Sequence, residues 1–340
     1  MIFFGDIQSL IAQHIGDRPV VLVSDKKVAK LYLTAKHNRF INERGRVIFV
    51  NAEKSKSISG FKKVVKKLVS LGANKDYTLV AFGGGAVSDL AGYVAGAYMR
   101  GMPLVNIPTT ILGAVDASIG GKTALNFKGK FKTKNILGTY YAADKTLVDK
   151  AFFDTLALSQ KTSGMGEIVK HALLDEQLFN NIRSESVENL VMQAISVKQR
   201  IVREEAQVAG SQRGQETSIR KQLNAGHTVG HALEAYYKFK IPHGVCVLSG
   251  ILIEAHLADK LGIIEKDYYG EIVALIKSFR LKQRPIKPRQ IEKLFKNIML
   301  DKKNKGGKIC FILPTQLGQV REVYLEQGET FRLLREIIVQ

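Results

Sequence analysis

Over roughly its first 110 residues the chain alternates short β-branched runs with helix-patterned stretches, and this alternation narrows the fold more than any other feature. Residues 19–24 (PVVLVS), 46–50 (RVIFV), 77–82 (YTLVAF) and 103–107 (PLVNI) read as buried strands. Between the second and third, Phe61, Val64, Val65, Leu68 and Leu71 recur at the spacing of one helix face. Lys62, Lys63, Lys66 and Lys67 fall on the opposite face, which reads as solvated. Strand, helix, strand in this order predicts a parallel sheet with crossover helices. Past residue 150 the texture changes. Amphipathic segments over 164–182, 187–207, 226–239, 245–261, 267–279 and 289–299 dominate, and β-branched runs are scarce until CFILP near residue 310. The expectation is an α/β domain with a parallel, Rossmann-like sheet over 1–150 and a mainly α-helical domain over 151–340. The polar stretch Ala209 to Thr217 reads as a surface loop.

Charge narrows the partners. The 340 residues hold 51 Lys+Arg against 31 Asp+Glu, a formal charge of +20. Residues 1–150 carry 23 basic and 10 acidic side chains, so the excess is densest there. Such a balance suits nucleic acid, a membrane surface or polyanionic small substrates. No aromatic–basic interleaving marks a nucleic-acid surface, but charge alone does not choose among these partners. No run approaches 18 apolar residues, so no membrane-spanning helix is expected. The start, MIFFGDIQSL, lacks the basic segment of a signal peptide. Cys246 and Cys310 are too few for a disulfide framework or a Cys-rich zinc site, which makes the cytoplasm the default compartment.

Four motifs can carry chemistry. In Phe82 to Asp89 (FGGGAVSD) three glycines follow a strand and open a helix, where backbone N–H groups and the positive dipole end favour a phosphate. The spacing is not the G-x-G-x-x-G dinucleotide fingerprint. Pro108-Thr109-Thr110 and Gly120-Gly121-Lys122-Thr123 put hydroxyls and a lysine beside a strand end, but Asp116 occupies the position where a P-loop needs glycine. Lys122, Lys128, Lys130, Lys132 and Lys134 run on without an acid between them, either a solvated loop or an anion site. Glu167 and Lys170, three apart, share a helix face. His227 and His231 are spaced i,i+4, and His243 follows sixteen residues after His227. A carboxylate from Glu167 with two of these histidines makes three ligands for a divalent metal and leaves coordination open for substrate.

Taken together and in register, FGGGAVSDLAGYVAGAYMRG, PTTILGAVDASIGGKT, GEIVKHALL, LNAGHTVGHALE and LDKK at 300–303 resemble the 3-dehydroquinate synthase family, over nearly the whole chain. The resemblance implies an NAD-binding α/β domain and a helical metal-binding domain. It implies conversion of a seven-carbon keto-acid phosphate (DAHP) to 3-dehydroquinate with loss of phosphate, through transient oxidation by NAD, β-elimination, re-reduction, ring opening and an intramolecular aldol. By position, the metal (zinc, or cobalt) falls to Glu167, His227 and His243, and His231 turns from ligand to a contact of the substrate phosphate region. NAD falls to Asp25, Glu53, Lys56, Gly84, Gly85, Asp89, Thr109, Thr110, Lys122 and Lys134, with Phe152 and Thr155. Substrate falls to Asp116, Lys122, Lys134, Asn135, Lys170, Arg220, Asn224, His231 and Lys302 or Lys303. Arg100 in the family reaches the neighbouring subunit's phosphate site, which implies a homodimer. Another sugar phosphate cyclase of the same superfamily is the alternative.

The chain departs from the family pattern in places. It begins near the first helix, where the family has a further strand. Lys27 stands where an asparagine is usual, the segment 126–134 is about three residues longer, residues 209–217 lengthen the approach to Arg220, and Val245 follows His243-Gly244 where glutamate is common.

Overall fold

The computed structural model describes residues 1–33, 45–128, 132–209, 217–281, 286–287, 290–301 and 303–339. Lys130, Lys302 and the stretch 210–216 of the expected surface loop lie outside the described residues. The chain divides into two compact units, Met1–Ala157 and Leu158–Gln340.

The first unit runs β1 (Ile2–Phe4), α1 (Ile7–His14), β2 (Val20–Asp25), α2 (Lys26–Tyr32), β3 (Gly45–Val50), α3 (Ala52–Ser55), α4 (Ile58–Ser70), β4 (Thr78–Gly83) and α5 (Gly85–Ala97). It continues with β5 (Leu104–Pro108), β6 (Lys122–Lys128), β7 (Lys132–Tyr140), β8 (Lys145–Val148) and α6 (Ala151–Asp154). Six strands form one parallel sheet in the order β1-β8-β5-β4-β2-β3. Helices cover both faces of such a sheet, so its central strands are apolar without alternation: every residue of β4 and β5 is buried. α5 turns Val87, Leu90, Ala91, Val94 and Ala95 into that core. The four strands expected from the sequence are all present, within a residue or so of their expected bounds. The chain opens on the short strand β1, paired to β8, rather than directly on α1. The lysine-rich stretch after Lys122 is an antiparallel hairpin, β6 on β7. Thr123 and Leu125 point inward while Lys122 and Lys128 stay exposed, so the cationic residues sit on a built ribbon.

The sheet order sets the ligand crevice. From β2 the chain moves outward to β3, then crosses back to β4 on the other side of β2. The strand order therefore reverses between β2 and β4, and in open α/β sheets ligands bind beyond the carboxyl ends of strands at such a reversal.

The second unit holds α7 (Leu158–Ala172), α8 (Glu176–Asn181), α9 (Val187–Ala209), α10 (Ser218–Lys221), α11 (His227–Tyr236), α12 (His243–Lys260), α13 (Lys266–Ser278), α14 (Ile291–Met299), β9 (Lys308–Gln316), β10 (Gln319–Glu326) and α15 (Gln327–Val339). The single helix expected over 164–182 is two. Asp175 breaks it by accepting from Leu178 N (2.9 Å), starting α8 afresh. α12 is the axis of this unit, with Cys246, Val247, Leu248, Ile251, Ala255, Leu257 and Ala258 fully buried. Its neighbours approach it backbone to backbone. A Cβ on Gly166 of α7 would lie 2.2 Å from Gly244 O, so only glycine allows that crossing. Gly226, ahead of α11, has φ of 74° and a Cβ there would sit 2.4 Å from Ile251 Cγ1. Gly166, Gly244 and Gly226 adjoin three residues of the expected metal site: Glu167, His243 and His227 respectively.

Candidate metal centre and nucleotide site

Three donors converge in the second unit. His227 is the first residue of α11, His243 the first of α12, and Glu167 lies in the third turn of α7. His243 Nε2 is 3.0 Å from Glu167 Oε1, and His227 Nε2 is 3.4 Å from the same oxygen. The ligand atoms of the three residues lie within 4.8 Å of one another. The far side of each ring is committed: His227 Nδ1 is 3.0 Å from Ala225 O, and His243 Nδ1 is 3.0 Å from Glu234 Oε2. Both partners are acceptors, so each Nδ1 carries a proton and a neutral ring turns its Nε2 lone pair toward Glu167 Oε1. Lone pairs facing one carboxylate oxygen require a cation among them. A divalent metal with two imidazoles and a carboxylate fits that donor set, as does a proton on His243 in its absence. Burial works against charge on His243, but its hydrogen bonds to Glu167 and Glu234 prevail and raise its pKa to about 10. Burial likewise pushes Glu167 upward, yet the Lys170 ammonium, then His227 and His243, hold its carboxyl well below the usual carboxylate range. Lys170 is itself buried and ion-paired to Glu167 Oε2.

His231, one turn along α11, has its ring centroid 5.0 Å from that of His227 and 5.9 Å from that of His243. Desolvation, then the charges of His227, His243 and Lys303, hold it below the ordinary imidazole value, although the residue stays exposed to solvent. Arg220 is buried in an ion pair with Glu205 (2.7 Å), and Thr217 caps its short helix α10. Asn224 ends the 3₁₀ turn Gln222–Asn224, two residues ahead of Gly226. Lys303 pairs with Asp301 (2.8 Å). One further residue fixes the geometry. Glu254 of α12 is fully buried and accepts from Gly226 N (2.8 Å) and Val229 N (3.0 Å), pinning the start of α11 and with it His227.

In the first unit the expected nucleotide residues follow the carboxyl ends of β2, β3, β4, β5 and β8, apart from Lys122 and Lys134 on the β6–β7 hairpin. Asp25 caps α2 through Lys27 N (2.8 Å). Gly84 precedes α5 with no side-chain cap, and a Cβ there would lie 3.2 Å from Thr110 Cγ2. Thr110 Oγ1 accepts from Gly113 N (3.0 Å), which starts the π-turn Gly113–Ala117 that carries Asp116. Lys56 pairs with Asp89, whose carboxyl burial holds above its ordinary value against the pull of that lysine. Asn126 Nδ2 donates to Glu53 Oε1 (2.8 Å), and Asn135 N donates to Asn126 Oδ1 (3.1 Å), so the β6–β7 hairpin is tied to α3. Ser88 Oγ and Thr109 Oγ1 are buried with no hydrogen-bond partner among the described residues. A glycine-lined strand end, an uncapped helix and orphaned hydroxyls beside it fit a dinucleotide pyrophosphate. Phe152 packs against Tyr32 and Phe82 (ring centroids 4.8 and 5.4 Å), and Thr155 Oγ1 bonds Tyr32 OH. Lys122 is exposed, Lys134 half-buried, and Asn135 and Arg100 have left-handed backbones (φ 52° and 62°).

Tyr32, Glu234, Glu254 and Lys198 were not singled out in the sequence. Lys198 had a readable signal: it is buried on the face of α9 that carries Leu190, Val191, Ala194, Ile195 and Ile201. A lysine on an apolar face is rarely there for packing.

Comparison with known proteins matches residues 46–163 to the family description "3-dehydroquinate synthase N-terminal" and residues 164–304 to "3-dehydroquinate synthase C-terminal". The 3-dehydroquinate synthase of Pyrococcus abyssi (strain GE5 / Orsay) is 32% identical over 346 aligned positions, covering 99% of each chain. Among solved structures, 2-deoxy-scyllo-inosose synthase complexed with carbaglucose-6-phosphate, NAD+ and Co2+ superposes with a TM-score of 0.84 at 22% identity, covering 99% of this chain and 96% of that one. The 2-epi-5-epi-valiolone synthase from Streptomyces hygroscopicus subsp. jinggangensis 5008, with NAD+ and Zn2+ bound, gives a TM-score of 0.84 at 23% identity, covering 99% of this chain and 96% of that chain.

Proposed function

The chain belongs to the 3-dehydroquinate synthase family, and from that premise we propose that it is a phosphate-eliminating carbon–oxygen lyase converting DAHP to 3-dehydroquinate and phosphate. The observation that carries the reading is the Glu167–His227–His243 triangle, with both Nδ1 atoms committed elsewhere and three donors left facing one another. When bound, a divalent metal, zinc or cobalt, supplies Lewis acidity there, and NAD supplies a hydride acceptor regenerated within each turnover. The rest is positioning by this chain's own groups. Glu234 and Ala225 O hold the imidazoles in the ligating tautomer. Lys170 keeps Glu167 ionised and offers an ammonium beside it. Neutral His231 accepts or donates a hydrogen bond near the substrate phosphate. Arg220, oriented by Glu205, Asn224 and Lys302 or Lys303 bind the substrate's anionic groups. Asp25, Glu53, Lys56, Gly84, Gly85, Asp89, Thr109, Thr110, Phe152 and Thr155 hold NAD together with Lys122 and Lys134, and Asp116, Lys122, Lys134 and Asn135 contact the substrate. The enzyme works in the cytoplasm as a homodimer, with exposed Arg100 serving the partner subunit's phosphate site.

The reading is tested by comparing kcat/KM for DAHP with that for glucose 6-phosphate, in the presence of NAD and zinc. Phosphate release from DAHP alone is expected. Release from the aldohexose phosphate instead assigns the chain to another sugar phosphate cyclase and overturns the proposal.

A further inference from the structure

Among the described residues, strand β3 is an edge of the six-stranded sheet, paired only to β2. Chain connections here put α2 and α4 on opposite faces at that edge. The crossover from β2 through α2 runs outward, that from β3 through α4 runs back to β4, and right-handed crossovers in opposite directions cover opposite faces. Between them lies a groove of about 820 Å³. Its floor includes Val47 and Phe49 of β3, with Phe49 43% exposed. Its rim is Lys26 from α2 and Lys62, Lys63, Lys66 and Lys67 from α4, all exposed. None of these five lysines pairs with a carboxylate among the described residues. Lys63 Nζ instead donates to Phe49 O (2.6 Å), so an edge carbonyl faces the groove and is satisfied by a side chain rather than a strand.

We propose that this groove docks an extended acidic segment of another polypeptide, which adds to β3 as a further strand. Main-chain groups of such a segment pair with the β3 edge, and one of its N–H groups replaces Lys63 on Phe49 O, releasing that ammonium for a carboxylate. The spacing suits it. Alternate side chains of an extended strand stand about 6.7 Å apart, and Lys62 to Lys66, like Lys63 to Lys67, advance about 6 Å along the helix. An apolar floor with a cationic rim selects a strand that alternates apolar and acidic residues. Nucleic acid fits less well, since one exposed phenylalanine makes no stacking platform. None of these residues belongs to the nucleotide or metal site.

The test uses the full chain and a fluorescein-labelled peptide of alternating Glu and Val, with the corresponding Lys–Val peptide and an oligouridylate as comparisons. The Glu–Val peptide is expected to bind saturably, to slow amide exchange in β3, and to bind at least about tenfold more weakly to Lys62→Glu/Lys66→Glu. That variant and the milder Lys62→Ala/Lys66→Ala should retain wild-type circular dichroism and phosphate release. Three results overturn the proposal: no saturable binding, binding indifferent to the charge reversals, or oligouridylate binding tighter than peptide and lost in the same variant. The first is expected if the lysines only guard an open edge against pairing.

Discussion

His243 lies between two carboxylates, Glu167 on its Nε2 and Glu234 on its Nδ1, and its behaviour tests the site residue by residue. With its pKa at about 10, it is protonated at neutral pH in the metal-free protein. Metal capture must expel that proton, so affinity rises with pH up to about 10 and about one proton is released per metal bound at neutral pH. Calorimetric zinc titration in buffers of differing ionisation enthalpy measures it. A buffer-independent heat contradicts it. Glu234→Ala removes the acceptor that fixes the ring, and zinc affinity read by chelator competition should fall about 10- to 100-fold. Glu254 gives the stability prediction. Burial outweighs its two backbone hydrogen bonds and raises its pKa to about 7. The unfolded carboxyl ionises near 4.5 and the folded one only near 7, so in that window folding takes up a proton. Stability should therefore decline from pH 4.5 to 7, by up to about 3 kcal/mol from this group, and level off above. Urea unfolding of Glu254→Gln should lack that component of the slope. His227 and His231 were legible from their i,i+4 spacing, but that Glu167 and His243 rather than His231 complete the set followed only from the family resemblance. Glu234 and Glu254 were not, since each acts on a group that only the packing of α11 on α12 brings near.

At the scale of elements, strands β2 to β5 were legible as short continuous apolar runs, and most of the longer helices of the second unit because each buries a periodic apolar face. The β6–β7 hairpin was not, because its lysines mask an alternation visible only once Thr123 and Leu125 are known to point inward. Nor were β10 and α15, since β10 is mostly half-exposed and its apolar residues do not form a continuous run. The ligand triangle depends on two helices touching. Gly166→Ala puts a methyl group 2.2 Å from Gly244 O and must push α7 from α12. The expected cost is at least about 1–3 kcal/mol in unfolding free energy, with weakened zinc binding. A stable Gly166→Ala protein with wild-type zinc affinity contradicts this view of the crossing.

For the whole molecule, the charge of +20 has two sources of explanation. Under the proposed function, part would serve anionic ligands: Lys56, which pairs with Asp89, Lys122 and Lys134 on the hairpin, and Lys170, Arg220 and Lys303, which pair with Glu167, Glu205 and Asp301 in the second unit. The lysines of α4 line the β3 groove instead, so the basic N-terminal half is not simply the footprint of a nucleotide and a sugar phosphate. The central claim is that NAD is spent and restored within one turnover while phosphate leaves. Following one reaction of DAHP with this chain, NAD and zinc by proton and phosphorus NMR, with NADH absorbance read alongside, tests it most directly. Equal amounts of 3-dehydroquinate and phosphate with no net NADH are predicted. NADH that accumulates with product, or phosphate that appears without 3-dehydroquinate, would contradict it.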